Sequence, residues 1–183
     1  MIKHYLNYSI LFTSILINCA VYAQECAEAK SSVTPDSRYQ LLNAGQEVKD
    51  LKTGLIWQRC LAGEQWNGRQ CTGEFEYFSY TGSQAFIAQH AKGWRLPTIQ
   101  ELSTLSSGCW GLAINTNAFP PNPERYSKSD ELRSSSQFKP TPQEAADLKY
   151  FGYDKMEWYM TYETNFGQTT YKTHDLQMRL VRR

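Results

Sequence analysis

The stretch Leu55-Ile-Trp-Gln-Arg-Cys60 runs directly into Leu61-Ala-Gly-Glu-Gln-Trp-Asn-Gly-Arg-Gln-Cys71, so an apolar segment ends on the first of two cysteines. The composition of 55–60 is typical of a buried strand, and Asn67-Gly68 is a strong signal for a tight turn. We therefore predict that the chain leaves a core strand, folds back in a protruding hairpin and returns to the end of that strand.

The N-terminus has the pattern of a secretory signal peptide. Lys3 gives a weakly basic start, residues 6–21 are largely apolar, and Val21-Tyr22-Ala23 is a cleavage site with small residues. The apolar run is too short and too interrupted for a transmembrane span. Lipoprotein processing at Cys19 is the rival interpretation, although Asn18 is atypical before such a cysteine. We predict cleavage after Ala23 and a periplasmic, secreted or cell-surface protein.

The predicted mature chain has the size of one domain. Removing 23 of the 183 residues leaves 160, and the loss of Lys3 leaves 18 basic and 18 acidic residues. This balance provides no basic field that would attract nucleic acid. We assign residues 24–47 to an N-terminal arm and first strand, and residues 48–183 to the domain.

Two disulfides are predicted from the mature cysteines, because an even count is typical of exported chains. These cysteines are Cys26, Cys60, Cys71 and Cys109. The turn favours Cys60–Cys71, which leaves Cys26–Cys109, although three connectivities are open. The chain has no Cys-x-x-Cys motif, and its mature histidines, His90 and His174, are isolated. We therefore predict neither a metal nor another cofactor.

Start signals predict two helices. Thr81-Gly-Ser-Gln84 has the pattern of a capping box, with Gly93 as a left-handed stop after the helix. The predicted inward face of this helix contains Ala85, Phe86, Ala88 and Ala91. Thr98-Ile-Gln-Glu101 is a second box, opening a helix that ends near 106–108. The predicted inward face of the second helix contains Ile99, Leu102 and Leu105.

Strands are predicted before and after these helices, at 38–42, 47–51, 55–60, 158–162, 168–173 and 176–180. Leu176, Met178 and Leu180 are expected to share one face of the last strand. Residues 115–149 are rich in Pro, Ser and charge and are expected to be largely irregular, with a short helix near 143–148.

Several short motifs follow one another in a specific order along the chain. They are Thr53-Gly-Leu-Ile-Trp-Gln-Arg-Cys60, Trp66-Asn-Gly68 with Cys71, Trp94-Arg-Leu-Pro-Thr98 with Glu101-Leu102, Ile114-Asn115, Ala118-Phe-Pro120, Ser134-Ser-Ser136, Trp158-Tyr159 and Arg179-Leu-Val-Arg182. From about Val48 onwards this order resembles the Lcl C-terminal domain family. Glu131-Leu-Arg133 departs from the family pattern, which has an aromatic residue and a Trp before its serines, and the departure extends over 132–150.

The resemblance implies an α+β fold that is C-type-lectin-like. Two helices would flank a small, mostly antiparallel, twisted sheet, with adjacent N- and C-terminal strands and long irregular loops. The helix–Arg95-Leu-Pro-Thr98–helix order is also similar to formylglycine-generating oxidases, but their late cysteine pair is absent because no cysteine follows Cys109. Family members include surface and adhesin-like proteins, and one type binds sulfated glycans as a trimer. Homo-oligomerisation is therefore an open possibility for this chain.

Structural roles are favoured for most of the motif residues. We expect Trp57, Trp94, Leu96 and Trp158 in the core. The remaining motif residues, Arg95, Pro97, Thr98 and Glu101, would form a joint before the second helix, with Arg95 bonding loop carbonyls and Thr98 acting as its cap.

The variable loops are the predicted ligand surface, since they offer aromatic planes and cations. The candidate residues are Trp110, Arg125, Tyr126, Lys128, Arg133 and Lys139. We predict an exported, non-catalytic binding module, of adhesin type or for envelope interactions, with a glycan or protein partner. The alternatives are a periplasmic inhibitor or partner of one protein, and an oxidase-like or hydrolytic enzyme. The sequence has no G-x-S-x-G, H-E-x-x-H or P-loop motif.

Overall fold

The computed structural model describes residues 34–74, 76–106, 114–123, 131–147, 156–161 and 166–183. Within them the fold class is α+β with small antiparallel sheets, as predicted. The strands are β1 (Tyr39–Leu42), β2 (Glu47–Asp50), β3 (Ile56–Gln58), β4 (Gln65–Trp66), β5 (Cys71–Thr72), β6 (Glu131–Gln137), β7 (Met156–Thr161), β8 (Phe166–Tyr171) and β9 (Val181–Arg182). The helices are α1 (Tyr80–His90), α2 (Ile99–Ser103) and α3 (Pro142–Asp147). None of these described helices is long and apolar enough to cross a membrane.

The first sheet has the strand order β1-β2-β3-β9 and is antiparallel. Trp57 lies at its centre, opposite Val48 on β2 and Val181 on β9, and all three side chains are fully buried. The last strand therefore completes the sheet beside β3, at the opposite edge from β1, so the expected adjacency of the N- and C-terminal strands was wrong. This pairing brings the end of the chain next to the strand that leads into the two cysteines.

The second sheet has the order β6-β7-β8 and packs into the same core as the first. Leu132 on β6 pairs with Met160 on β7, and both side chains are buried. β7 and β8 form the predicted hairpin, with Trp158 opposite Thr169. The shared core contains Val48, Leu55, Trp57, Leu61, Leu102, Leu105, Phe119, Leu132, Met160 and Val181.

The segment 176–180 differs from the amphipathic strand that was predicted. Leu176, Met178 and Leu180 are fully buried, but so are the polar residues between them, Gln177 and Arg179. Only Leu176 and Gln177 form isolated bridges, and regular pairing begins at β9. The apolar and polar side chains alternate in sequence but are all buried, because this segment lies inside the molecule and both of its sides are covered.

The N-cap of helix α1 lies two residues before Thr81, the N-cap that was predicted. Ser79 is the N-cap: it has extended backbone angles, and its hydroxyl accepts a 3.1 Å hydrogen bond from the Gly82 N–H. This start turns a different face inward, so Ser83 is buried while Ala85 and Ala88 are exposed. The predicted alanine face was therefore wrong, although Phe86 and Ala91 do pack in a second core cluster, which also contains Ala62, Phe78, Leu96, Met178 and Leu180.

Helix α2 starts at the predicted capping box. The Thr98 hydroxyl accepts from the Glu101 N–H at 3.1 Å, and the Glu101 carboxylate accepts from the Thr98 N–H at 2.8 Å. Leu102 and Leu105 are fully buried, and Ile99 packs against them from the edge of the core. The helix ends at Ser103, earlier than the predicted stop near 106–108.

A buried carboxylate closes the turn between β2 and β3. The Asp50 side chain is fully buried and accepts two hydrogen bonds from Arg38, at 2.8 and 2.5 Å. It also accepts from the Thr53 hydroxyl at 2.7 Å and from the Lys52 N–H at 3.0 Å. Burial by itself raises the pKa of Asp50, but the Arg38, Thr53 and Lys52 hydrogen bonds outweigh it and lower this pKa.

Replacing Asp50 with Asn should lower the free energy of unfolding by about 2 kcal/mol at pH 7, because the charge-assisted bonds are lost. A lowered pKa in the folded state stabilises the protein above the unfolded pKa of about 4 and loses this effect as the pH falls through the folded value. Urea unfolding of both proteins at pH 7 and at pH 3 checks this prediction. A gap between wild type and variant that stays constant with pH would contradict it.

Candidate functional site

A polar cleft of about 410 Å³ lies between the first sheet, the β4–β5 hairpin and the C-terminal end of α1. Its walls come from three stretches of chain, together with Gln58 on β3. The first stretch is 43–47, leading into β2; the second is 60–66, leading into the hairpin; and the third is 86–94, at the end of α1. The cleft is thus built from segments distant in sequence.

The hairpin folds back through the predicted turn. Asn67 accepts hydrogen bonds with its side-chain oxygen from the N–H groups of Arg69 and Gln70, each at 3.0 Å. Gly68 takes a left-handed conformation, with φ at 97°. As a result β5 runs antiparallel to β4, with Trp66 opposite Cys71.

A disulfide joins this hairpin to the end of β3. Cys60 and Cys71 are bonded, with their Cα atoms 5.6 Å apart, which confirms the predicted pair. We call β4, β5 and their turn the stapled hairpin. The second predicted pair, Cys26–Cys109, lies outside the described residues.

Trp66 is held on the stapled hairpin by an arginine. The Arg59 guanidinium lies 3.7 Å from the centre of the Trp66 ring, and it donates to the carbonyl oxygens of Gly45 at 3.3 Å and Asn117 at 2.9 Å. Burial lowers the pKa of Arg59. Gly45 has φ at 83°, and a Cβ there would lie 2.9 Å from the Trp66 ring nitrogen. Glycine therefore allows the backbone to pass close to the indole.

Trp94 is the second tryptophan that lines the cleft, and a second arginine packs against its ring. The turn after α1 contains Gly93 at the predicted left-handed position, with φ at 89°. The Arg182 guanidinium lies 5.1 Å from the centre of the Trp94 ring and donates to Glu47 at 2.7 Å. Both cleft tryptophans are half-buried, so each keeps part of its ring accessible.

Side-chain amides are the most frequent polar side chains among the described lining residues of the cleft. They belong to Asn43, Gln46, Gln58 and Gln65. Each carboxamide carries two donor hydrogens and one acceptor oxygen, so such a surface can bind hydroxyl groups in either sense. A cleft with amides and half-buried indoles is suited to a ligand that has both hydroxyl groups and apolar C–H faces.

The charged groups that line the cleft are few. Glu47 is paired with Arg182, and Glu64 accepts a 3.0 Å hydrogen bond from the Leu61 N–H. His90 is exposed, with its ring 5.2 Å from that of Phe86. Over the described ranges, no group of three or more His, Cys, Asp or Glu side chains is placed to hold a metal ion.

A family model of the Lcl C-terminal domain matches residues 46–182, which is most of the chain. The chain belongs to the Lcl C-terminal domain family. No curated protein and no solved structure matches the chain. All the described cleft residues except Asn43 lie in the matched range, so the cleft is part of the Lcl C-terminal domain itself.

Of the predicted ligand residues, Arg133 and Lys139 lie in the described part of the chain, and neither lines this cleft. Trp110, Arg125, Tyr126 and Lys128 fall outside the described residues. Lys139 is exposed after the end of β6, away from the cleft lining. Arg133 is fully buried within β6, so its predicted position on an exposed loop was wrong.

Arg133 is instead the centre of an internal polar network. Its guanidinium pairs with Glu157, whose side chain is also fully buried, and donates to the carbonyl oxygens of Phe78 and His174. Burial lowers the pKa of Arg133 to about 10, while the charges of Asp175 and Tyr80 oppose the change. The residue ties the second sheet to the segments before α1 and before β9.

The motif residues of the Lcl C-terminal domain are structural, with two differences from the prediction. Trp57 and Leu96 are buried as expected, and Arg95 pairs with Glu101 through two bonds of 2.8 and 2.7 Å as well as with the Leu96 carbonyl. Trp94 and Trp158, expected in the core, are half-buried. The structure also shows Pro97 buried and Thr98 capping α2.

Trp158 faces a second, shallower groove rather than the core. This groove also includes Ile99, Gln100, Ser136 and Gln137, and the Trp158 ring packs at 5.8 Å from that of Phe138. On β7 the buried neighbours are Glu157 and Met160, so the inward positions are not those that simple alternation indicated. The register shift between β6 and β7 near Arg133 accompanies this irregular pattern.

Sequence reasoning missed the cleft residues Trp66, Gln58 and Glu47. Trp66 was predicted only to precede the Asn67-Gly68 turn, because a single Trp beside Asn-Gly gives no local sign of the residues that it contacts. One signal was available: Gly45 lies between the predicted strands 38–42 and 47–51, and glycine often marks a place where another group approaches the backbone closely. Identifying that group as Trp66 required the long-range contact itself.

Proposed function

We propose that this Lcl C-terminal domain is an exported, non-catalytic binding module of C-type-lectin-like fold that accepts a saccharide in the cleft beside the stapled hairpin. One observation carries the proposal: Trp66 and Trp94, each held by an arginine, line one cleft together with four side-chain amides. Indole faces pack on the C–H faces of sugar rings, and amides hydrogen-bond to hydroxyl groups.

The rigidity of the site supports a binding role. The disulfide fixes one wall, while Arg59 and Arg182 restrict the two indoles before any ligand arrives. Groups that are ordered in advance lose less conformational entropy on binding. A non-catalytic role is supported by the absence of hydrolase motifs from the sequence, and by the use of Cys60 and Cys71 in a disulfide rather than as thiol nucleophiles.

The same disulfide supports export to an oxidising compartment, where such bonds persist. Export fits the predicted signal peptide at 1–23 and a location in the periplasm or at the cell surface. The C-type-lectin-like assignment is supported by the position of α1 and α2 in the chain, between the strands of the first sheet and those of the second. An adhesin-type role would use the cleft as its ligand site.

Recognition of a single protein partner is the second candidate function. Leu41 on β1 and Leu51 after β2 are about half exposed, at 49% and 54%. β1 is an edge strand of the first sheet, and the unpaired backbone groups of an edge strand can pair with an extended segment of a partner protein. This role would use β1 and the turn after β2 rather than the cleft.

Screening the mature chain, residues 24–183, on a panel of oligosaccharides followed by calorimetry tests the proposal. Trp66→Ala should weaken binding at least about tenfold, because a stacked aromatic surface is removed. Gly45→Ala should also weaken binding, since the new Cβ would crowd the Trp66 ring. Trp158→Ala is the matched control, as it removes a half-buried Trp outside the cleft.

Equal affinity of Trp66→Ala and the wild-type protein would contradict the saccharide site, provided that near-ultraviolet circular dichroism shows both proteins folded. Binding to no saccharide at all would also contradict it. Binding to a protein that Leu41→Ser abolishes would instead support the second candidate function.

A further inference from the structure

Strand β1 forms one edge of the first sheet. Over the described residues the strand order is β1-β2-β3-β9, so β1 pairs with β2 on its inner side. The sequence of β1, Tyr39-Gln40-Leu41-Leu42, contains no charged residue and no proline. Natural proteins usually protect edge strands against further pairing with lysine, proline, a bulge or a short strand. Of these devices β1 has only its short length of 4 residues.

The hydrogen-bonding pattern determines which backbone groups of β1 point outward. In an antiparallel pair, alternate residues bond to one neighbouring strand, and the residues between them point to the other side. The Leu51 N–H donates to the Arg38 carbonyl at 2.9 Å, and the register gives Gln40 the same kind of position opposite β2. Tyr39 and Leu41 lie between these positions. Their N–H and C=O groups therefore point away from β2.

The side chains of the same two residues lie on the face of the sheet that covers the core. Leu41 is directly opposite Val48, which is fully buried, and residues opposite each other share a face. Tyr39, two positions before Leu41, packs edge-on against Phe119 with ring centres 5.4 Å apart. Leu41 itself is 49% exposed. A strand added beyond β1 would cover Leu41 and extend this apolar face.

The edge is self-complementary, which favours a second copy of this chain as the added strand. A two-fold axis at Gln40 would place Tyr39 of one copy opposite Leu41 of the other. In that register each outward N–H meets an outward carbonyl. On the apolar face the Tyr39 ring would contact Leu41 of the other copy. On the opposite face the two exposed Gln40 carboxamides can donate to and accept from each other.

We propose that the chain forms a symmetric homodimer in which two β1 strands pair antiparallel through Tyr39 and Leu41 and join the two first sheets. This inference goes beyond the proposed function, because it concerns the sheet edge and not the cleft. The contact is small, since a strand of 4 residues supplies few hydrogen bonds and little apolar area. Small interfaces give weak association, so we expect a dissociation constant of about 10–100 μM.

Sedimentation velocity of the mature chain, residues 24–183, at about 5 to 500 μM measures this association. We expect a monomer at the low end of the range and a dimer at the high end. Leu41→Lys replaces the apolar edge contact with a charge and should weaken association at least about tenfold. Leu51→Lys is the matched control: Leu51 is 54% exposed, but its N–H bonds to Arg38 inside the hairpin, so association should be unchanged.

Two proline variants test the hydrogen-bonding pattern itself. Leu41→Pro removes an N–H that points outward, so the domain should fold and the dimer should be lost. Gln40→Pro removes an N–H that bonds to β2, because Gln40 is opposite Lys49 at a bonded position. It should lower the melting temperature more than Leu41→Pro does. Near-ultraviolet circular dichroism checks that Leu41→Pro and Leu41→Lys are folded.

Several results would overturn the inference. One is a protein that stays monomeric up to about 500 μM, and another is a trimer, which two-fold pairing cannot form. Equal weakening by Leu41→Lys and Leu51→Lys would show that the contact is elsewhere. A monomer whose Tyr39 and Leu41 amides are protected from hydrogen exchange would show that another segment of the same chain occupies the edge. The saccharide site is tested separately, by Trp66→Ala.

Discussion

Replacing Glu157 with Gln should lower the free energy of unfolding by about 3–5 kcal/mol, the largest effect we expect from a single substitution. Glu157 and Arg133 are both fully buried and paired, and Arg133 also donates to the Phe78 and His174 carbonyls. Without the carboxylate, the guanidinium is left as an uncompensated charge in the interior. Urea unfolding monitored by tryptophan fluorescence measures the change.

Two further variants separate the buried charge from lost packing. Arg133→Met combined with Glu157→Gln removes both charges, so the double variant should be more stable than Glu157→Gln alone. Arg95→Gln breaks the pair with Glu101, in which the Arg95 side chain is 44% exposed, and should cost about 1 kcal/mol or less. A Glu157→Gln effect as small as that of Arg95→Gln would show that the buried pair contributes little.

Replacing both Cys60 and Cys71 with Ser should lower the free energy of unfolding by about 3 kcal/mol, because the unfolded chain regains the freedom that the closed loop removes. For a domain of this size, the melting temperature should fall by roughly 6–12 °C. Scanning calorimetry measures this change. Changing both cysteines avoids leaving a reactive thiol in the hairpin.

The same double variant should also bind saccharide more weakly, since Trp66 lies on the hairpin that the bond holds. Arg59 and Gly45 still contact the indole, so we expect a partial loss of affinity rather than the full loss expected for Trp66→Ala. A double variant with unchanged melting temperature would contradict the stabilising role. Reduced stability with unchanged affinity would show that the contacts of Trp66 with Arg59 and the Gly45 backbone suffice to place it without the disulfide.

Local sequence signals predicted those elements whose causes are also local. The Thr98–Glu101 capping box, the Asn67-Gly68 turn and the left-handed conformation of Gly93 each involve residues within a few positions of one another, and all three were confirmed. The helix itself ends at His90, before Gly93. The capping box assigned to Thr81 was wrong because Ser79 offers the same chemistry two residues earlier. Two adjacent candidate caps cannot be ranked without the packing of the helix face that each one selects.

The candidate site was less accessible to prediction because its contacts join distant parts of the chain. Arg59 meets Asn117, and Arg182 meets both Glu47 and Trp94. No periodicity or spacing links such residues before the sheet is assembled. For the same reason Arg133 was placed on a variable surface, since its partner Glu157 becomes adjacent only when β6 pairs with β7.

The sequence by itself determined the family, the α+β class, the hairpin and its disulfide, because each rests on short motifs or on cysteines separated by a single turn. Only the tertiary structure decided that the family's arginines and tryptophans meet around one cleft, and that Arg133 is internal. The physical reason is that strand pairing brings β9 beside β3, so residues far apart in sequence become neighbours. Their burial and their charge partners then follow from that assembly and not from local sequence.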